Sequence, residues 1–118
     1  MPLHMVEKQL GAVLVLDARG RMTLGRETEA LRQRLKDLVD AGQTRIILDL
    51  AGVDYIDSAG LGTLVAAFSS VRRAGGELKL ANLTGRVRGL MQITRLSTLF
   101  DVYDSVEHAR SSFAPPSI

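Results

Sequence analysis

The stretch Asp54-Tyr55-Ile56-Asp57-Ser58-Ala59-Gly60-Leu61-Gly62 gathers two carboxylates, a serine hydroxyl and two glycines at the start of a helical apolar pattern. Asp57 and Ser58 are both residue types that cap helix N-termini, and the amides just after them lack intrahelical partners and carry the positive end of the helix dipole. Gly60 and Gly62 let a backbone or a ligand approach closely. A phosphate attached to Ser58 would lie beside those donors and be tolerated by the fold. The same residues are also compatible with a plain helix cap at Ser58 and glycines kept for packing. Residue types alone leave both readings open.

Other chemistries are excluded by spacing. A dinucleotide fingerprint needs a third glycine where Val65 stands, so Gly60-Leu61-Gly62 supplies only its beginning. A hydrolase nucleophile elbow needs glycine on both sides of the serine, and Ile56 occupies the first of those positions. No phosphate-cradling loop ending in Gly-Lys-Ser or Gly-Lys-Thr occurs. His4 and His108 stand alone, and with no cysteine in the chain there is neither a thiolate metal site nor a disulfide frame.

The elements that must position Ser58 follow from apolar patterning. Val13 to Leu16 read as a buried strand ended by Asp17 and Arg19-Gly20, with a weaker strand at about Met5 to Leu10 turning at Gly11. Leu24, Leu31, Leu35, Leu38 and Val39 predict an amphipathic helix from Leu24 to Ala41, capped by Thr23 and stopped by Gly42. Ile46 to Leu50 predict a strand, followed by a loop to residue 57. Leu61, Leu64, Val65, Phe68 and Val71 then predict a second helix, ended by Gly75-Gly76. A strand at Leu78 to Leu80, a helix from Thr84 to Gln92, a short strand at Phe100 to Tyr103 and a helix from Ser105 to Phe113 complete the pattern. Strands alternating with helices predict an α/β fold with a mixed, largely parallel sheet of about four to five strands and helices packed on one face. The 118 residues fit one domain, with a core at 6–113 and a disordered tail at 114–118.

Composition narrows the function classes. Fifteen basic and 13 acidic residues give a net charge of +2, and the arginines are dispersed from Arg19 to Arg110. Nucleic-acid binding would call for a clustered basic patch with aromatics, and the chain has no Trp, two Tyr and three Phe. No apolar run approaches the ~20 residues of a membrane span. The first residues lack a secretory signal pattern, so a cytoplasmic location is expected.

Ile46-Ile47-Leu48-Asp49-Leu50, Tyr55-Ile56-Asp57-Ser58-Ala59-Gly60-Leu61-Gly62 and Gly75-Gly76-Glu77-Leu78-Lys79-Leu80 together resemble a STAS domain of the bacterial anti-sigma-factor antagonist type. Val87 to Leu90, Leu96, Phe100, Val102, Tyr103 and Glu107 fit its C-terminal half. The resemblance implies a partner switch. The unphosphorylated antagonist binds a GHKL-type serine-kinase anti-sigma factor and displaces the sigma factor. The kinase binds ATP and Mg and phosphorylates the serine after the aspartate, which is Ser58 here, and a PP2C-type phosphatase reverses the step. The chain would then be a non-enzymatic binder and substrate without a cofactor of its own. Its partner surface would comprise Asp54, Asp57, Ser58, Ala59, Gly60, Leu61, Gly62 and Thr63.

The chain departs from the family pattern in three places. Thr23 stands where many antagonists are acidic, Ala59 replaces a common second serine, and Thr94-Arg95-Leu96 replaces Ser-Gly-Leu. The competing class is a STAS scaffold or accessory subunit, in a stress-signalling assembly or an ATP-driven lipid transporter. The intact Asp57-Ser58 pair favours the switch. A small-ligand-binding domain is a third class, with only the helix N-terminus in its favour.

Overall fold

The computed structural model describes residues 3–23 and 25–113. The chain runs β1 (His4–Leu10), β2 (Val13–Met22), α1 (Arg26–Asp40), β3 (Arg45–Ile56), α2 (Ser58–Arg73), β4 (Glu77–Ala81), α3 (Gly85–Ile93), a 3-10 turn (Leu96–Thr98), β5 (Asp101–Tyr103) and α4 (Val106–Ser111). The five strands lie in the order β1-β2-β3-β4-β5. β1 is antiparallel to β2, and the remaining pairs are parallel. This is the mixed, largely parallel α/β sheet expected from the alternation of patterns.

Strand alternation divides the apolar residues between two layers. Leu14, Leu16, Ile46, Leu48, Leu78 and Leu80 meet Leu31, Leu35 and Leu38 of α1, Leu64 and Phe68 of α2, and Val87 and Met91 of α3. Val13, Val15, Ile47 and Ala81 face the other way and are covered by Ala109 and Phe113. The helical layer on one face is therefore α1, α2 and α3, while α4 crosses the opposite face. Cover on both faces explains why the apolar runs of β2 and β3 are nearly continuous.

The longest differences from the sequence reading lie at strand ends. β2 continues through Asp17 and Arg19-Gly20 to Met22, and register shifts at Asp17/Arg19 and Gly20/Arg21 absorb the residues that looked like a turn. β3 likewise runs on to Ile56, so Asp54 and Tyr55 belong to a strand and not to a loop. Parallel pairing between the two strands outweighs the local turn preference of these residues. Consequently Thr23 is an exit residue and α1 begins after Gly25, whose φ of 133° an L side chain rarely adopts. The Leu24 position and the 114–118 tail lie outside the described residues.

Lys79 of β4 is a charged residue on the face covered by Phe113. It is 4% exposed, with Nζ 4.7 Å from the Phe113 ring centroid and 5.2 Å from that of Tyr103. Nζ also lies 3.5 Å from an Asp101 oxygen and 3.8 Å from a Glu77 oxygen. Both carboxylates remain exposed, so removing the cation strands no buried anion. Lys79→Met should hold stability within about 1 kcal/mol. Lys79→Ala should cost about 2 kcal/mol by leaving a void under Phe113. Urea unfolding measures both, and a larger loss for Met than for Ala would show that charge outweighs volume here.

Candidate functional site

The site is a strand-to-helix junction with a single residue between the elements. β3 ends with Ile56, which is buried, and Asp57 then turns the chain in an extended conformation. The Asp57 amide donates to the Met22 carbonyl at 3.1 Å, tying the junction to the end of β2. Its carboxylate accepts the Gly60 amide at 2.8 Å, and its carbonyl accepts the Leu61 amide at 2.9 Å. Asp57 is therefore the helix cap, and the plain-cap reading of Ser58 gives way. Ser58 is the first residue of α2 and is exposed.

Gly60 fixes how closely α2 meets the sheet. A Cβ built there would lie 2.2 Å from the Met22 carbonyl oxygen and 2.9 Å from its carbon. Only glycine allows the first turn to seat on the β2 end at this distance. Gly62 differs, since nothing lies within 4 Å of its Cβ position.

The expected partner residues therefore separate by burial. Asp54, Ser58 and Gly62 are exposed, and Asp57, Ala59 and Thr63 are half-buried. Gly60 and Leu61 are buried, which corrects their assignment to a contact surface: they seat the helix and present nothing outward. Thr63 donates its hydroxyl to the Ala59 carbonyl at 3.1 Å, so it is less free than Ser58 to serve as an acceptor. Sequence reasoning missed Met22, whose carbonyl is the abutment for both Asp57 and Gly60. Its signal was an apolar residue beyond Asp17, Arg19, Gly20 and Arg21.

Two consequences for stability follow. Asp57→Ala removes the cap and should cost about 1 kcal/mol, with Asp57→Asn recovering most of it. Thermal unfolding checks this, and equal losses for both variants would assign the effect to charge instead of capping. Gly62→Ala adds a methyl in open space inside a helix and should stabilise by about 0.5–1 kcal/mol.

Among the described residues, no group of three or more His, Cys, Asp or Glu side chains could hold a metal ion. No described helix is long and apolar enough to cross a membrane.

The STAS domain family model matches residues 4–109. The chain is 38% identical over 85 residues to BtrV of Bordetella bronchiseptica, covering 72% of this chain and 73% of that protein. It is 42% identical over 72 residues to the anti-sigma-B factor antagonist of Bacillus subtilis, covering 61% of this chain and 65% of that one. Among solved structures, an anti-sigma factor antagonist from Mycobacterium paratuberculosis superposes with a TM-score of 0.79 at 21% identity, over 93% of this chain and 92% of that chain. The anti-sigma factor antagonist SpoIIAA in its unphosphorylated form superposes with a TM-score of 0.69 at 17% identity, over 92% and 94% of the two chains. These structures share the fold, and the match over residues 4–109 together with the sequence relatives places the chain in the STAS domain family.

Proposed function

We propose that this chain is an anti-sigma factor antagonist that binds a GHKL-type serine-kinase anti-sigma factor and is released when Ser58 is phosphorylated. The observation that carries the reading is the exposed Ser58 at the first position of α2, next to an aspartate that has taken over the capping. The names of the sequence relatives support the antagonist role. In this reading the kinase binds ATP and Mg, a PP2C-type phosphatase restores the serine, and the chain itself performs no catalysis.

The physics of such a gate is local. A phosphate adds about 1.5 to 2 negative charges at neutral pH, directly beside Asp57 and on the surface a partner covers. The helix dipole and first-turn amides stabilise that charge in the free protein. Against a partner, the same charge must be desolvated and repels any facing acid.

A pull-down from native extract with wild-type, Ser58→Ala and Ser58→Asp baits tests the reading. A GHKL-type kinase held by the first two baits and lost with the third is the expected result. Transporter subunits or other STAS proteins held equally by all three would overturn it and make the chain an accessory or scaffold.

A further inference from the structure

Beside the α2 start, two guanidiniums share one aromatic ring. The Arg21 guanidinium carbon lies 4.5 Å from the Tyr55 ring centroid, and that of Arg86 lies 5.8 Å from it. The three residues come from three elements. Arg21 stands opposite Tyr55 in the β2–β3 register. Arg86 follows the first residue of α3, whose start is tied to β3 by the Thr84 hydroxyl donating to the Val53 carbonyl at 3.0 Å.

Both arginines are exposed and Tyr55 is half-buried. Arg19, Arg32, Arg34, Arg88 and Arg110 each have a carboxylate partner. Among the described residues, neither Arg21 nor Arg86 has one within ion-pair distance. Stacking on a ring restrains a guanidinium while leaving its edge donors available. Two cations gathered at one ring without a carboxylate partner raise the local positive potential, which an anion meeting their edge donors lowers.

We infer that Arg21, Tyr55 and Arg86 form a receptor for neighbouring carboxylates on an acidic peptide segment of the protein that docks over Ser58. The inference rests on the reading of the α2 start as a docking surface. Position supports it, because the carbonyl of Met22, next to Arg21, accepts the Asp57 amide, and Tyr55 lies three residues before Ser58. Chemistry selects carboxylate, since guanidinium and carboxylate pair through two parallel hydrogen bonds. Restrained guanidiniums lose less side-chain freedom on binding than free ones, so the contact discriminates between acidic and neutral or basic partners.

The test is an NMR titration of the arginine Nε–H and Tyr55 ring signals with acetylated tetraglutamate amide, with tetralysine amide and inorganic phosphate as comparison probes. The expected result is that tetraglutamate moves the Arg21, Arg86 and Tyr55 signals along one saturable curve, leaving those of Arg32 and Arg34 in place. Arg21→Gln combined with Arg86→Gln should weaken that binding about tenfold or more. Equal, non-saturating shifts of all arginines would overturn the inference, as would a response to phosphate without one to tetraglutamate. Should the double variant unfold, the wild-type titration still decides. No kinase enters the experiment, so its failure leaves the Ser58 switch standing, and failure of the pull-down leaves this result readable.

Discussion

Ser58→Asp is expected to reduce affinity for the proposed GHKL-type kinase by about a hundredfold or more while leaving the thermal unfolding midpoint nearly unchanged. A hundredfold corresponds to about 2.7 kcal/mol, within reach of one extra negative charge buried against a protein surface beside Asp57. The unfolding half of the prediction follows from geometry. Ser58 is exposed, the Gly60 amide is already satisfied by Asp57, and an acid at the first helical position is favoured by the dipole. Ser58→Ala should bind as the wild type does. Isothermal calorimetry with the purified kinase, paired with differential scanning calorimetry of the free variants, measures both halves. A destabilised aspartate variant would mean that the gate works through the fold and not through the contact surface.

Gly60→Ala should be strongly damaging, costing about 3 kcal/mol or more. The added carbon would sit 2.2 Å from the Met22 carbonyl oxygen and 3.0 Å from Cγ1 of Ile56. The oxygen belongs to the strand backbone and already accepts the Asp57 amide, so it cannot step aside without opening the junction. For a domain of this size a loss of ~3 kcal/mol lowers the unfolding midpoint by roughly 12 °C or more. Gly62→Ala is the internal control, with the same substitution two residues on and an expected gain. Equal effects at the two positions would show that helix propensity, and not the close approach to β2, governs this turn. Because Gly60 seats the helix that presents Ser58, partial unfolding in Gly60→Ala should also slow phosphorylation at the serine.

The order of elements and the helical face were legible because long apolar patterns carry them. Leu31, Leu35 and Leu38 of α1 and Leu64, Phe68 and Val71 of α2 are all buried as their spacing predicts. The strand ends were not legible, because Asp17, Gly20, Gly52 and Asp54 are turn formers taken up by a sheet. Two register irregularities accommodate them, and such irregularities depend on the partner strand, which local sequence does not encode. That error hid the abutment of Met22 against Gly60 and, with it, the reason Gly60 is glycine. The cap was half legible: Asp57 and Ser58 were equivalent by type, and only the extended backbone of Asp57 and its bond to the Gly60 amide separate them. The covering of the second sheet face by α4 was invisible to periodicity, since a helix with one fully buried residue, Ala109, leaves a weak stripe. The burial of Lys79 depends on the same distant cover, with Phe113 packed over its ammonium.

The most direct test of the proposed switch is to incubate the chain with the GHKL-type kinase captured by the pull-down, ATP and Mg and to map the phosphate by fragmentation mass spectrometry. Phosphate confined to Ser58, absent from Ser58→Ala and accompanied by release of the kinase, is the predicted result. Phosphate on Thr63, or kinase still bound to the Ser58-phosphorylated chain, would contradict a gate at the start of α2.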